Sequence, residues 1–223
     1  MQRANAPASP GRSVLLAGVT GLVGRELFAG LLADVAVGEI HLLTRRPFHH
    51  EDPRVHPRLV DFAALPTLPP LDEVYLALGT TIKVAGSQAA FRAVDFDANL
   101  AVARAARAAG ARRLGLVSAM GADARSGVFY SRVKGELEDA LAALDFEGQV
   151  IARPSMLAGD RESLGQPVRG GERLALKLTR ALRPLIPANY RSIQARDVAA
   201  ALLRPLPAAR GRVVLLSGAM QQA

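Results

Sequence analysis

The stretch Val14-Leu15-Leu16-Ala17-Gly18-Val19-Thr20-Gly21-Leu22-Val23-Gly24 determines how the rest of the chain is organised. A short apolar run ends in a glycine, and two more glycines follow at three-residue intervals. After the last glycine, apolar residues recur every three or four positions, which is typical of one face of a helix. The stretch therefore predicts a buried strand, a tight glycine turn and a helix that begins at the turn.

The predicted turn has the properties of a nucleotide-binding site. The first N–H groups of a helix lack partners within the helix and carry partial positive charge, so they can hold a pyrophosphate. Gly18 would permit the turn, Gly21 would let the backbone approach the phosphates, and Gly24 would let the helix pack against the strand. A turn with a purely structural purpose is the alternative, but the strand before and the helix after favour the nucleotide.

Further predicted strands alternate with predicted helices along the chain. We predict an α/β fold that is built on a doubly wound parallel sheet, with a small C-terminal cap. We predict one NAD(P)-binding domain over 13–223, with 155–195 as the substrate-side cap and 1–12 as a flexible tail. Beyond the first strand and helix, the predicted strands are 38–44, 58–62, 73–78, 113–118, 149–153 and 212–216, and the predicted helices are 89–109, 129–144, 172–182 and 196–203.

The composition argues against several classes of protein. There is no cysteine, so neither a disulfide nor a thiolate metal site can form. The histidine-rich loop 48–57 has no second group of ligands, and we predict no metal. The net charge of +8 comes from scattered arginines in a chain with only 4% aromatic residues, so no nucleic-acid partner is expected.

No apolar run is long enough to predict a membrane span, and no membrane partner is expected. The run between Arg12 and Arg25 imitates the core of a secretion signal. Cleavage there would destroy the nucleotide turn, and no small-residue cleavage site follows directly. We therefore predict a cytoplasmic protein.

Ligands of an open parallel sheet bind beyond the carboxyl ends of its strands, near the point where the strand order reverses. Residues at the predicted strand ends, and two on the helix after the fifth strand, are therefore the candidates for cofactor binding. They are Gly18, Thr20, Gly21, Leu22, Val23, Gly24, Arg45, Arg46, Asp61, Phe62, Leu78, Gly79, Thr80, Thr81, Ser118, Tyr130, Lys134, Arg153, Pro154, Ser155 and Met156.

The end of the second predicted strand indicates which cofactor binds. Enzymes that use NAD usually carry an acidic residue about 20 positions past the glycines, where it binds the ribose 2′-hydroxyl. Arg45 and Arg46 stand there instead, and a guanidinium group pairs well with a phosphate. We predict that NADP(H) is preferred over NAD(H). The alternative is that these are two ordinary surface arginines in an arginine-rich chain.

A tyrosine and a lysine occur four residues apart in Tyr130-Ser131-Arg132-Val133-Lys134. This spacing puts both on one face of a helix, and an ammonium group near a phenol favours the phenolate form. Tyr130 is thus a candidate proton donor to a carbonyl, or acceptor from an alcohol. Ser118, at the end of the fifth strand, could hydrogen-bond the same substrate oxygen. The alternative is that Tyr130 is a half-buried residue with a purely structural role and that Lys134 is a solvated side chain.

The glycine turn, Ser118 and the segment 130–134 resemble the short-chain dehydrogenase/reductase superfamily, and the glycine spacing is similar to its extended and atypical branches. Within the atypical members, the chain resembles the Tat-interacting-protein-like group over roughly residues 13–205. The segments that carry this narrower resemblance are 76–81, 94–95, 118–122, 130–136 and 153–155, with the match extending through 160–161.

The resemblance implies a Rossmann fold, bound NADPH and a catalytic triad of Ser118, Tyr130 and Lys134. It also implies that residues 20–23 hold the phosphates and that residues 153–154 border the nicotinamide. One position departs from the family pattern, because the usual asparagine on the helix before the fifth strand is Asp95 here.

From these residues and this resemblance we expect an NADPH-dependent oxidoreductase that acts on a small-molecule carbonyl or alcohol. A regulatory or redox-sensing protein that binds NADP(H) with little turnover is the alternative, as the resemblance implies for some relatives. Nucleotide-sugar epimerisation or dehydration is disfavoured because it needs a larger C-terminal domain. The resemblance also allows a homodimer, formed through the helices before and after the fifth strand.

Overall fold

A computed structural model of the protein describes residues 11–158 and 187–221. The strands are β1 (Arg12–Ala17), β2 (Val37–Thr44), β3 (Val55–Leu59), β4 (Glu73–Leu76), β5 (Arg113–Val117), β6 (Gly148–Arg153), β7 (Leu157–Ala158), β8 (Ile193–Gln194) and β9 (Gly211–Leu216). The α-helices are α1 (Leu22–Ala33), α2 (Ile82–Ala85), α3 (Gln88–Arg92), α4 (Asn99–Ala108), α5 (Phe129–Ala142), α6 (Ala195–Leu203) and α7 (Ser217–Met220). A π-helical turn (Ala93–Ala98) joins α3 to α4, and 3-10 turns occur at Ala188–Tyr190 and Leu206–Ala208.

Seven of the strands form one parallel sheet in the order β3-β2-β1-β4-β5-β6-β9. This is the doubly wound Rossmann topology, so the predicted fold class is confirmed. The strand order reverses between β1 and β4, and ligands of this topology bind at the carboxyl ends of the strands at such a point. The short strands β7 and β8 pair with each other in a separate parallel ribbon.

Strand β1 lies at the centre of the sheet, and both of its faces are covered. Its side chains alternate between the faces, so Val14 and Leu16 belong to the apolar cluster that includes α1 and α6. Leu15 and Ala17 belong to the cluster on the opposite face, which includes residues of α4 and α5. This explains why β1 reads as an unbroken apolar run rather than an alternating one.

The C-terminal part of the chain contributes to the sheet and its helical layer. Helix α6 packs on α1, and β9 pairs with β6 as the seventh strand. Of the predicted cap over 155–195, the part from 159 to 186 lies outside the described residues, and so does the predicted helix 172–182. Residues 1–10 of the predicted tail also lie outside them. None of the helices within the described ranges combines the length and the apolar character that a membrane crossing requires.

Two predicted elements differ from the structure in more than the position of one end. The third strand covers Val55–Leu59 rather than 58–62, because Val55 is buried and pairs with Ile40 of β2. Pro57 is tolerated in this strand because β3 is at the edge of the sheet. The helix predicted at 89–109 is interrupted by the π-helical turn, although it ends as expected before Gly110, which has a φ of +100°.

Candidate functional site

The glycine turn between β1 and α1 lies against the end of β4. Gly18 has a φ of +100°, and a Cβ there would lie 2.4 Å from the carbonyl oxygen of Ala77. A Cβ at Gly24 would lie 1.9 Å from the carbonyl oxygen of Gly18. Both positions therefore require glycine because of the protein's own backbone, in agreement with the roles predicted for them.

Gly21 differs from the other two glycines of the turn. The nearest atom to a Cβ at this position would be the carbonyl oxygen of Gly18, at 3.4 Å, which is an ordinary contact. Gly21 directly precedes α1, no side chain caps this end of the helix, and its first turn contains no acidic residue. The free N–H groups at this end fit a phosphate, so the turn suits the pyrophosphate of a dinucleotide.

Arg45 and Arg46 follow the last residue of β2, and both are exposed. Within 11–158 and 187–221, neither of them forms an ion pair. Asp61 and Phe62 lie beyond β3, where the Asp61 carboxylate accepts a hydrogen bond of 2.9 Å from the N–H of Ala63. The guanidinium groups are thus available at the carboxyl edge of the sheet, where a 2′-phosphate would need them.

Lys134 forms a buried ion pair with Asp95. The Nζ atom lies 2.7 Å from Oδ1, and the side chains are only 5% and 1% exposed. The other oxygen of Asp95 accepts a hydrogen bond of 2.9 Å from the N–H of Thr80, in the loop after β4. The residue that replaces the usual asparagine therefore connects a predicted cofactor loop to the predicted catalytic lysine.

Tyr130 lies one helical turn before Lys134 on α5, and it is half-buried. Its ring centroid lies 5.5 Å from that of Phe91, and no described group hydrogen-bonds its hydroxyl. A Cβ at Gly135 would lie 2.1 Å from the backbone nitrogen of Ala124, so glycine is needed for α5 to pack closely against the loop that precedes it. This close packing fixes the helix that carries the tyrosine and the lysine.

Ser118 follows β5, and its hydroxyl donates a hydrogen bond of 2.6 Å to Oε1 of Glu138. Both residues are buried. A serine hydroxyl has a single proton to donate, so in this arrangement Ser118 does not donate to a substrate oxygen. The structure thus brings Ser118 to Glu138, on the same face of α5 as Tyr130 and Lys134.

Glu138 also binds two arginines. Arg153, at the end of β6, donates to both carboxylate oxygens at 3.0 and 2.7 Å, and Arg212 of β9 donates to Oε2 at 2.9 Å. The hydrogen bonds with Glu138 are the main reason why the pKa of Arg153 is raised above its usual value. Arg153 is therefore a fixed cation at the carboxyl edge of the sheet.

The segments after β5 and β6 lie side by side. The N–H of Met120 donates to the carbonyl oxygen of Pro154 at 2.9 Å, and the N–H of Ser155 donates to the hydroxyl of Ser217 at 2.7 Å. Met156, the last residue predicted to bind the cofactor, is 68% exposed. The structure therefore brings the segments of Ser118 and Pro154 together at the carboxyl ends of β5 and β6, whereas Lys134 lies beside the loop after β4 and Tyr130 beside Phe91.

Sequence reasoning missed several residues of this region that have buried polar contacts, among them Ser217, Glu138 and Asn99. Glu138 could have been found, because it continues the four-residue spacing of Tyr130 and Lys134. Asn99 is also buried, and its amide nitrogen donates to the carbonyl oxygens of Leu78, Val94 and Asp95, each at 3.2 Å. No sequence signal pointed to Asn99, since its partners are backbone atoms.

No family model matches the chain. Several curated proteins are similar to the chain in sequence. "Protein fmp52, mitochondrial" of Emericella nidulans is 38% identical over 160 residues, which are 67% of this chain and 69% of that protein. "Protein FMP52-1, mitochondrial" of Scheffersomyces stipitis is 32% identical over 161 residues, which are 68% of this chain and 70% of that protein. These names place the relatives in mitochondria, which contradicts our prediction of a cytoplasmic location.

Solved structures share the fold. An oxidoreductase of the short-chain dehydrogenase/reductase family from Burkholderia thailandensis has a TM-score of 0.67 and 19% identity, with 96% of this chain and 94% of that chain covered. MoeE5 in complex with UDP-glucose and NAD has a TM-score of 0.67 and 18% identity, with 91% of this chain and 75% of that chain covered. WbmG from Bordetella bronchiseptica in complex with NAD has a TM-score of 0.61 and 16% identity, with 98% of this chain and 77% of that chain covered. These likenesses show a Rossmann fold of the kind found in NAD-binding dehydrogenases and epimerases.

Proposed function

The chain belongs to the family of the Fmp52 proteins, and we propose that it is an NADPH-dependent oxidoreductase of the atypical short-chain dehydrogenase/reductase type. Its substrate is a small carbonyl or alcohol. The observation that carries the proposal is the placement of Tyr130, whose hydroxyl has no partner among the described residues and which lies one turn from the buried Lys134. The proposal includes membership of the Tat-interacting-protein-like group, which the resemblance of the sequence segments supports.

The residues at the carboxyl edge of the sheet would hold the cofactor. The turn 18–24 and the start of α1 take the pyrophosphate, and Arg45 and Arg46 take the 2′-phosphate. Asp61 and Phe62 would lie on the adenine side, and residues 78–81 and 153–156 would line the path toward the nicotinamide. When bound, NADPH supplies a hydride to the substrate carbon.

The chain's own residues handle the proton. Tyr130 gives its hydroxyl proton to the substrate oxygen during reduction, and takes it back during oxidation. Lys134, held by Asp95, supplies a positive charge on the same helix face and donors for ribose hydroxyls. Ser118 acts indirectly, because its proton is held by Glu138, and it positions that carboxylate and Arg153.

A regulatory NADP(H)-binding protein with little turnover is the second candidate. One observation favours it. The hydroxyl of Ser118 already donates its proton to Glu138, and the charge of Lys134 is already paired with Asp95. An assay of turnover separates it from the enzyme.

We expect NADPH to bind at least about tenfold more tightly than NADH, since each free guanidinium group can form a charge-assisted bidentate pair with the extra phosphate. Arg45→Ala should reduce the ratio of the two affinities about threefold to tenfold, in keeping with a partly exposed pair. Fluorescence titration of both cofactors measures the ratio. Arg104→Ala is the matched control, because Arg104 is an exposed residue of α4 and its loss removes the same charge elsewhere. Equal affinities in the wild type would refute the assignment of the 2′-phosphate site.

We expect Ser118→Ala to lower the turnover of a reactive substrate by less than about tenfold, because the variant loses one internal hydrogen bond and no proton donor to the substrate. The measurement is the NADPH oxidation rate of Ser118→Ala beside that of Tyr130→Phe. A loss of turnover as large as that of Tyr130→Phe would contradict this expectation and would indicate that Ser118 contacts the substrate oxygen directly.

A further inference from the structure

We infer that Asp95 is a positioning residue, which holds Lys134 and the backbone of Thr80 in one arrangement that cofactor binding requires. The inference rests on the proposed function, since it concerns the same NADP(H) site. It assigns a role to Asp95, which occupies the position of the asparagine that is usual in the short-chain dehydrogenase/reductase superfamily.

The two oxygens of Asp95 bind two different elements. Oδ1 lies 2.7 Å from the Lys134 ammonium of α5, and Oδ2 accepts from the Thr80 N–H in the loop after β4. The loop passes directly over this pair, because a Cβ at Gly79 would lie 3.6 Å from Oδ1 and 4.0 Å from Nζ. The ion pair is therefore next to the backbone of the predicted cofactor loop, rather than on a distant face of the helix.

The backbone that carries Asp95 is itself held in an uncommon form. Asp95 lies in the π-helical turn Ala93–Ala98, and such turns are rare and often occur at functional sites. Asn99 fixes this turn to the segment that follows β4, since its amide donates to Leu78 as well as to Val94 and Asp95. The Oδ1 atom of Asn99 is buried without a hydrogen-bond partner, so this fixation has a cost.

A carboxylate does here what an amide cannot. An asparagine side chain could accept the Thr80 N–H, but it could not neutralise Lys134. The ammonium group has three N–H donors, and among the described residues only Asp95 pairs with it. The remaining donors suit ligand hydroxyls in the crevice. Without Asp95, the flexible lysine stem would have to be ordered by the ligand itself.

A double-mutant cycle tests this coupling with Asp95→Asn, Lys134→Met and the double variant. Thermal unfolding without ligand is the first readout. Each single variant leaves a buried group without its partner and should lower Tm by about 6–15 °C, whereas the double variant should lose less than the sum of the two. Asp97→Asn is the matched control, because Asp97 lies exposed in the same turn. Its Tm should stay at the wild-type value.

NADPH affinity is the second readout, because a merely structural role would not couple it to Lys134. Asp95→Asn should weaken NADPH binding about threefold to tenfold, the usual cost of ordering one flexible side chain. In the Lys134→Met background, Asp95→Asn should have no further effect. If Asp95→Asn does not fold, Asp95→Glu takes its place, since it keeps the charge but displaces the ammonium group and should still weaken binding.

Additive losses of affinity, or unchanged or tighter binding by Asp95→Asn, would overturn the inference. A wild type that binds no NADPH would overturn the proposed function instead. In that case the unfolding cycle still decides whether Asp95 and Lys134 act as a unit, because non-additive Tm values support the unit and additive values refute it.

Discussion

Tyr130→Phe is expected to lower turnover by roughly 10²–10⁴-fold, the usual contribution of a positioned proton donor. The variant should fold normally, because it removes a hydroxyl that has no partner among the described residues and keeps the ring contact with Phe91. NADPH affinity should stay within a few fold of the wild-type value, since Lys134, the two arginines and the glycine turn all remain. The effect should therefore fall on the chemical step alone.

The measurement is a screen of NADPH oxidation over small aldehydes, ketones and quinones, with wild type and Tyr130→Phe in parallel. Lys134→Ala is the comparison, and it should impair both binding and turnover because Lys134 serves the ribose and the phenol together. Wild-type turnover that Tyr130→Phe leaves unchanged would disprove the assigned role. Tight NADPH binding with no turnover in the wild type would favour the regulatory protein.

Gly21→Val is expected to abolish cofactor binding while the fold survives. The backbone at Gly21 has a φ of −76°, which any residue adopts, and a Cβ there meets protein atoms only at ordinary contact distance. A branched side chain would instead stand where the pyrophosphate has to approach the backbone. The protein therefore tolerates the substitution and the ligand does not.

Circular dichroism and fluorescence titration with NADPH measure the two parts of this expectation. Gly24→Val is the contrasting variant, because a Cβ at Gly24 would lie 1.9 Å from the carbonyl oxygen of Gly18 and should disrupt the fold itself. A folded Gly21→Val protein that still binds NADPH with wild-type affinity would show that the turn does not hold the nucleotide.

The parts of the fold that follow local rules were predictable. The glycines after β1 are spaced by the needs of a single turn, and two of the three are constrained by backbone atoms close to them. The carboxyl ends of parallel strands meet at one edge, so the candidate residues could be grouped from the order of the elements alone. The edge strand β3 was misplaced because its half-exposed residues lack a clear apolar pattern.

The pairing of buried polar groups was not predictable in the same way. Asp95 and Lys134 are far apart in sequence, and only the packing of α5 against the π-helical turn brings them together. Ser118 could be placed at a strand end, but whether its proton is donated to a substrate or to Glu138 depends on which side of α5 packs over β5. Local periodicity predicts which residues share a helix face, not which partners that face meets.

The carboxylate of Glu138 also links the site to the order in which the chain can assemble. Its partners Ser118 and Arg153 are 20 and 15 residues away in sequence, whereas Arg212 is 74 residues away. Short loops close at a lower entropic cost than long ones, so the first two contacts can form within the β5-α5-β6 unit before the last strand arrives. Glu138 acquires its full set of donors only when β9 docks beside β6. The edge of the sheet that carries the candidate site is thus completed by a strand near the C-terminal end of the chain.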